Sequence, residues 1–159
     1  MLHTLAIVLH ATSAIAAFIV GIVLIFQRDA FRQLQLGRAL LALLALMGFF
    51  LVVAILSHLT TLPTVKQITF GILLVLLGYM IFRAVQAVTV LSNQRHVDQL
   101  KVVDHVGFVL ISLFDGFAIV SALDLKAPGW LVAIIAVAAV GIGIFALTSR
   151  KNTLKMQTT

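Results

Sequence analysis

Five apolar runs, each long enough to cross a lipid bilayer, are separated by short polar connectors. This pattern constrains the chain more than any other feature. A hydrocarbon core of about 30 Å needs about 20 apolar residues in a helix. The runs are 2–26, 39–58, 68–91, 105–123 and 130–147. Hydrocarbon offers no partner for an open backbone, so each run must be a helix. The expected fold is all-α, a polytopic transmembrane bundle of five spans in one domain covering residues 1–159. The first run is expected to be a retained helix. No Lys or Arg precedes Arg28, whereas a cleavable signal peptide opens on a basic segment and has a shorter apolar stretch.

Composition agrees with that class. Hydrophobic residues make up 62% of the chain and charged residues 10%, with a mean hydropathy of +1.20. Ordinary soluble domains carry about 25% charged residues. A soluble enzyme, a disordered tail and a nucleic-acid-binding module are excluded on this ground. There is no cysteine, so no disulfide framework, thiolate site or Cys nucleophile exists.

The net charge of +6 is distributed by connector. Arg28, Arg32, Arg38, Arg83, Arg95, Lys101, Arg150, Lys151 and Lys155 fall on one side of a five-span arrangement, and only Lys66 and Lys126 on the other. Basic loops stay in the cytoplasm. The N-terminus is therefore expected outside and the C-terminus in the cytoplasm, as in a bacterial cytoplasmic (inner) membrane. Thr60 to Thr64, with Pro63, reads as a tight outer turn, as does Lys126-Ala127-Pro128-Gly129. Trp130 suits the interfacial aromatic belt. Gln27 to Arg38 reads as an inner loop lying on the headgroups. Ser92 to Asp104 reads as the longest cytoplasmic connector.

Small residues mark packing seams, because helices in lipid associate through close contact rather than hydrophobic burial. Ala42, Ala45 and Gly48 recur on the second helix, Gly71 and Gly78 on the third, and Ala139 and Gly143 on the fifth. Packing within one bundle is the expectation, with a homo-oligomer as the alternative. The phenylalanines are scattered through the spans and are read as packing.

Ionisable residues inside the membrane are costly and are the functional candidates. His10 and Asp115 come out at similar depth in the outer half. If the first and fourth helices are neighbours, they form a hydrogen-bonded pair, with Ser112, Thr12 and Ser13 around them. Arg83 is expected to snorkel to the headgroups or to pair with Asp104, and Gln86 shares its face. No metal site is expected. A loose trio of His3, His10 and His58, with Asp124 nearby, is the nearest approach to one. A b-type haem on His10 and His58 is conceivable in the outer leaflet, though their depths differ. His105, at the opposite edge, has only His96 beside it.

There is no GxGxxG, GxxxxGK, HExxH or GxSxG, and no glutamate at all. An enzyme is the least supported class. Three functions are therefore entertained. The first is a non-enzymatic accessory or partner-binding subunit, including an immunity-type protein. The second is a haem- or quinone-linked redox carrier using His10. The third is a proton-coupled transporter using His10 and Asp115.

Three motifs resemble an uncharacterised family of small bacterial multi-pass membrane proteins, a domain of unknown function. These are His10-Ala11 in the first helix, Gly37-Arg38 where the second begins, and Gly78-Tyr79 through Arg83-Ala84 in the third, followed by Asp104. The resemblance spans about the first 115 residues. It implies a bacterial cytoplasmic-membrane location and no particular activity. The chain departs from that pattern at Gln33, where many such proteins have His.

Overall fold

The computed structural model describes residues 2–58, 64–93 and 98–157. It contains five helices: α1 (Leu2–Phe26), α2 (Ala30–His58), α3 (Thr64–Ser92), α4 (Gln99–Asp124) and α5 (Gly129–Gln157). All five are long and apolar enough to cross a membrane. The turn at residues 60–64 expected around Pro63 lies outside the described residues except for Thr64.

The first span falls as its sequence indicates, but the other four helices are longer than the apolar runs. α2 starts at Ala30 rather than Ala39, so most of Gln27 to Arg38 is helix rather than loop. Asp29 explains the difference. Its carboxylate accepts the Arg32 N–H at 2.8 Å, which caps the helix N-terminus. Only Gln27, Arg28 and Asp29 then connect α1 to α2. Gln33, Gly37 and Leu40 continue the buried stripe of Leu44 and Met47, so the segment packs as helix despite its polarity. Asp98 does the same for α4, accepting the Lys101 N–H at 3.2 Å. That bond holds the Asp98 carboxyl below the usual carboxylate range. α5 runs on through Arg150 and Lys151, so the basic C-terminal segment is helical.

Between α4 and α5 the tight turn is present. Lys126 takes a left-handed φ of 56°. The Ala127 N–H reaches back to the Ala122 carbonyl at 3.0 Å, a left-handed helix C-cap.

Among the described residues, α1 packs on α2, α2 on α3, α3 on α4 and α4 on α1, closing a ring of four helices. α5 lies outside the ring against α4. The core is concentrated toward the end where Arg28, Lys101 and Arg150 gather. It is built from Leu24, Leu40, Leu44, Leu91, Val102, Val106 and Val109, with Ala17, Ala84 and Ala87. Glycine permits the closest approach to α5: a Cβ on Gly143 would collide with Ile111, and one on Gly107 with Leu147. In contrast, Gly71 and Gly78 of α3 have nothing within 4 Å. The small residues therefore divide into seams used within the bundle and positions left open on its flank.

A buried amide pair locks the basic end. Gln33 is 0% exposed. Its Nε2 donates to Gln99 Oε1 at 3.1 Å, and Gln99 Nε2 donates back to Gln33 Oε1 at 3.0 Å. Gln33 Nε2 also donates to the Gln27 carbonyl. The pair joins the first turns of α2 and α4, which face each other diagonally across the ring. Leaving one partner of such a bond unsatisfied costs about 1–3 kcal/mol, more than the bond contributes net. Gln33→Ala is therefore expected to lower stability by about 1–3 kcal/mol. The double variant Gln33→Ala/Gln99→Ala should cost clearly less than the two single changes summed. Unfolding titrations of the four proteins in mixed micelles measure this; strict additivity would show that the two amides do not act on each other.

Candidate functional site

α1 and α4 are neighbours, yet His10 and Asp115 do not meet. His10 Nδ1 lies 3.0 Å from the Met47 carbonyl of α2. A carbonyl only accepts, so Nδ1 carries the proton in this contact. Depth separates the residues as well. Gly21 of α1 lies against Leu110 of α4. Counting outward from that contact at 1.5 Å per residue, Asp115 is about 8 Å along and His10 about 16 Å. Direction separates them further, because Leu110 faces α1 and Asp115, five residues on, is turned about 140° away from it. The sequence estimate measured depth from the ends of the apolar runs, whereas α4 extends beyond its run at both ends. Ser13 and Ser112 are buried, but neither bridges the two residues. Thr12 bonds back to the Val8 carbonyl at 2.9 Å within its own helix.

Asp115 instead occupies the ridge of α4 between α3 and α5. Ile111, one turn earlier on the same face, packs on Gly143 of α5. Phe108, two turns earlier, stacks edge-on with Tyr79 of α3, with centroids 5.0 Å apart. Asp115 is half-buried. Its Oδ1 is sealed and has no hydrogen-bond partner. From Leu131 to Leu147, α5 offers no charged or hydroxyl side chain, so it cannot supply one.

The same ridge carries Asp104, eleven residues and three turns before Asp115. Its carboxylate pairs with Lys151 of α5. Arg83 of α3 reaches Asp104 too, but at the backbone: Nη2 donates to the carbonyl at 3.2 Å. The expected Arg83–Asp104 contact thus forms without a carboxylate–guanidinium pair, because Lys151 holds the carboxylate. The Arg83 guanidinium lies 5.5 Å from the Phe108 ring centroid, a cation–π contact. Arg83 Nε, Gln86 Oε1 and His105 Nδ1 are buried without partners. Arg83, Asp104 and Lys101 all act electrostatically on His105. On the other flank, Arg150 lies over the Phe26 ring at 4.9 Å, and its Nη2 reaches the Ile25 carbonyl at 3.5 Å. α5 is thereby moored at its basic end to α1 and α4 together. Nothing in the sequence pattern signalled the parts of Lys151, Arg150, Gln33 and Gln99, which depend on which helices neighbour one another.

Among the described residues no group of three His, Cys, Asp or Glu side chains is placed to hold a metal ion. The side chains of His3, His58, His96 and Asp124 lie outside the described residues, and with them the expected outer trio and the His10–His58 haem pair. No family model, curated protein or solved structure matches the chain. The fold alone defines its class: an all-helical protein with five candidate membrane spans.

The two buried candidates differ in satisfaction, and stability should report it. Replacing an unsatisfied buried polar group by an apolar one of similar shape removes a desolvation cost. Asp115→Leu is expected to raise the unfolding free energy by about 1–3 kcal/mol. His10→Leu breaks the bond to Met47 and should lower it by about 1 kcal/mol. Thermal unfolding in detergent compares the two; loss of stability in Asp115→Leu would mean that the carboxyl has a structural partner.

Proposed function

We propose that the chain is a multi-pass protein of a bacterial cytoplasmic membrane, N-terminus outside and C-terminus in the cytoplasm, acting as a non-enzymatic accessory subunit that binds another membrane protein. The observation that carries the reading is the unused flank of α3. Gly71 and Gly78 are open, and Ile68, Ile72, Val75, Tyr79 and Phe82 stand exposed around them. Small residues that let a helix backbone approach closely mark helix–helix interfaces in lipid, and here the bundle itself does not use them. The orientation rests on the division of cations between the two sets of connectors.

The absence of cysteine makes both parts directly testable. A single cysteine at Leu125 should react with an impermeant maleimide from outside the cell, and one at Asn152 only after permeabilisation. The reverse pattern would invert the orientation. A photo-crosslinking phenylalanine derivative at Phe82, on the α3 flank, should give one discrete adduct with a second membrane protein in native membranes. The same group at Phe145, on the exposed side of α5, should not. Equal, diffuse labelling from both positions would sink the partner-binding reading.

A second reading has one observation in its favour. The Nδ1 bond to the Met47 carbonyl fixes the tautomer and orientation of His10, as for imidazoles that ligate a metal through Nε2. It supports a redox carrier with a b-type haem or a quinone at His10. The purified protein would then show a Soret band that His10→Ala abolishes, and a colourless wild-type preparation would dismiss the haem form. The proton-coupled reading loses its basis in a His10–Asp115 pair, since the two side chains face different helices.

A further inference from the structure

We propose that the groove over α4 between α3 and α5 receives a transmembrane helix of the partner, and that this helix carries a lysine or arginine that pairs with Asp115. The inference rests on the partner-binding reading and names the chemistry of the partner.

Three placements converge on the groove. α3 and α5 both pack on α4, but among the described residues their backbones do not approach each other. The ridge of Phe108, Ile111 and Asp115 is therefore flanked on two sides and uncovered along its crest. The α3 wall carries Tyr79 against Phe108, and the open positions Gly71 and Gly78 lie on the neighbouring face, about 80–100° round the helix. Asp115 supplies the polar demand: its Oδ1 has no partner, and the side chain as a whole is only half-buried and so within reach of an entering helix. Among the described residues no donor reaches Oδ1: the stretch of α5 from Leu131 to Leu147 has no charged or hydroxyl side chain, and the Arg83 and Lys151 contacts are made at Asp104, three turns away.

The chain shows the chemistry that would satisfy this demand on the same ridge. At Asp104 a neighbouring helix presents a lysine, Lys151, to the carboxylate. Asp115 occupies the equivalent azimuth, since eleven residues complete about three turns, and among the described residues no cation is paired with it. A lone carboxyl among hydrocarbon chains is costly, and intramembrane charges pair with one another. A basic side chain from a partner helix repeats the Asp104–Lys151 arrangement one bundle layer further out. Because Asp115 lies about 10 Å from the outer end of its span, the partner's basic residue belongs at that depth.

The test needs no knowledge of the natural partner. The full-length protein, labelled at Leu125→Cys with a fluorescent donor, is reconstituted in phosphatidylcholine vesicles. An acceptor-labelled leucine–alanine transmembrane peptide is added, with one lysine about seven residues from its outer end. A twin peptide has leucine in place of that lysine. The lysine peptide is expected to associate about tenfold more tightly than its twin. Asp115→Asn should reduce that preference to about one, and Asp115→Glu should keep it. Equal association of the two peptides with the unaltered protein overturns the proposal, as does a lysine preference that survives Asp115→Asn. The comparison between peptides leaves the protein untouched, so a folding defect in a variant cannot imitate the result. If equal association is found alongside a discrete adduct at Phe82, the partner-binding reading stands and the charge pair alone fails. If neither a preference nor an adduct is found, both fail.

Discussion

A peptide group in hydrocarbon has only other peptide groups to bond to, and the rest of this structure follows from that constraint. It makes each apolar run a helix whatever its side chains, so backbone hydrogen bonding carries almost no information about how the helices assemble. Lipid tails compete equally with apolar side chains, so burial carries little either. What remains to specify the bundle is close approach and a few polar contacts. Gly107 and Gly143 admit Leu147 and Ile111 and so bring α5 onto α4. Gln33 and Gln99 fix how the basic ends of α2 and α4 face one another. Without such contacts the five helices would have many near-equivalent arrangements.

The same constraint decides what was legible in the sequence. The number of helices and the place of the first were plain, because hydropathy and length alone determine them. The boundary of α2 was not, because polar residues were taken to mean loop. Asp29 is a helix cap, and the stripe Gln33, Gly37 and Leu40 continues the spacing of Leu44 and Met47; both signals were present and outweighed by polarity. The pairing of His10 with Asp115 failed for a different reason. Depth along an axis can be counted from a sequence, but azimuth relative to neighbours cannot until the order of helices is known. The Lys151–Asp104 pair was hidden for that reason too, as it joins residues 47 positions apart on helices that the sequence does not show to be adjacent.

Polar groups in this bundle are distributed unevenly, and the unevenness carries meaning. At the basic end, Gln33 satisfies Gln99, Lys151 satisfies Asp104, and Arg150 joins α5 to α1. Gln33 is fully buried, whereas the Lys151 and Asp104 side chains remain partly exposed. Further along the spans His10 bonds to a carbonyl, whereas Asp115 Oδ1, like Arg83 Nε, Gln86 Oε1, His105 Nδ1 and Arg150 Nε nearer the basic end, has no partner. If Asp115 served only the fold of the isolated chain, an alanine or leucine would serve it better.

The mooring of α5 sharpens this argument. Arg150 and Lys151 tie its basic end to the ring, and further along Leu147 packs on Gly107 and Gly143 on Ile111 of α4. An entering helix would find α4 as its floor, the Tyr79 side of α3 as one wall and α5 as the other. The proposed partner helix, set between α3 and α5, would give the unpaired carboxyl of Asp115 the charge partner that Asp104 has in Lys151.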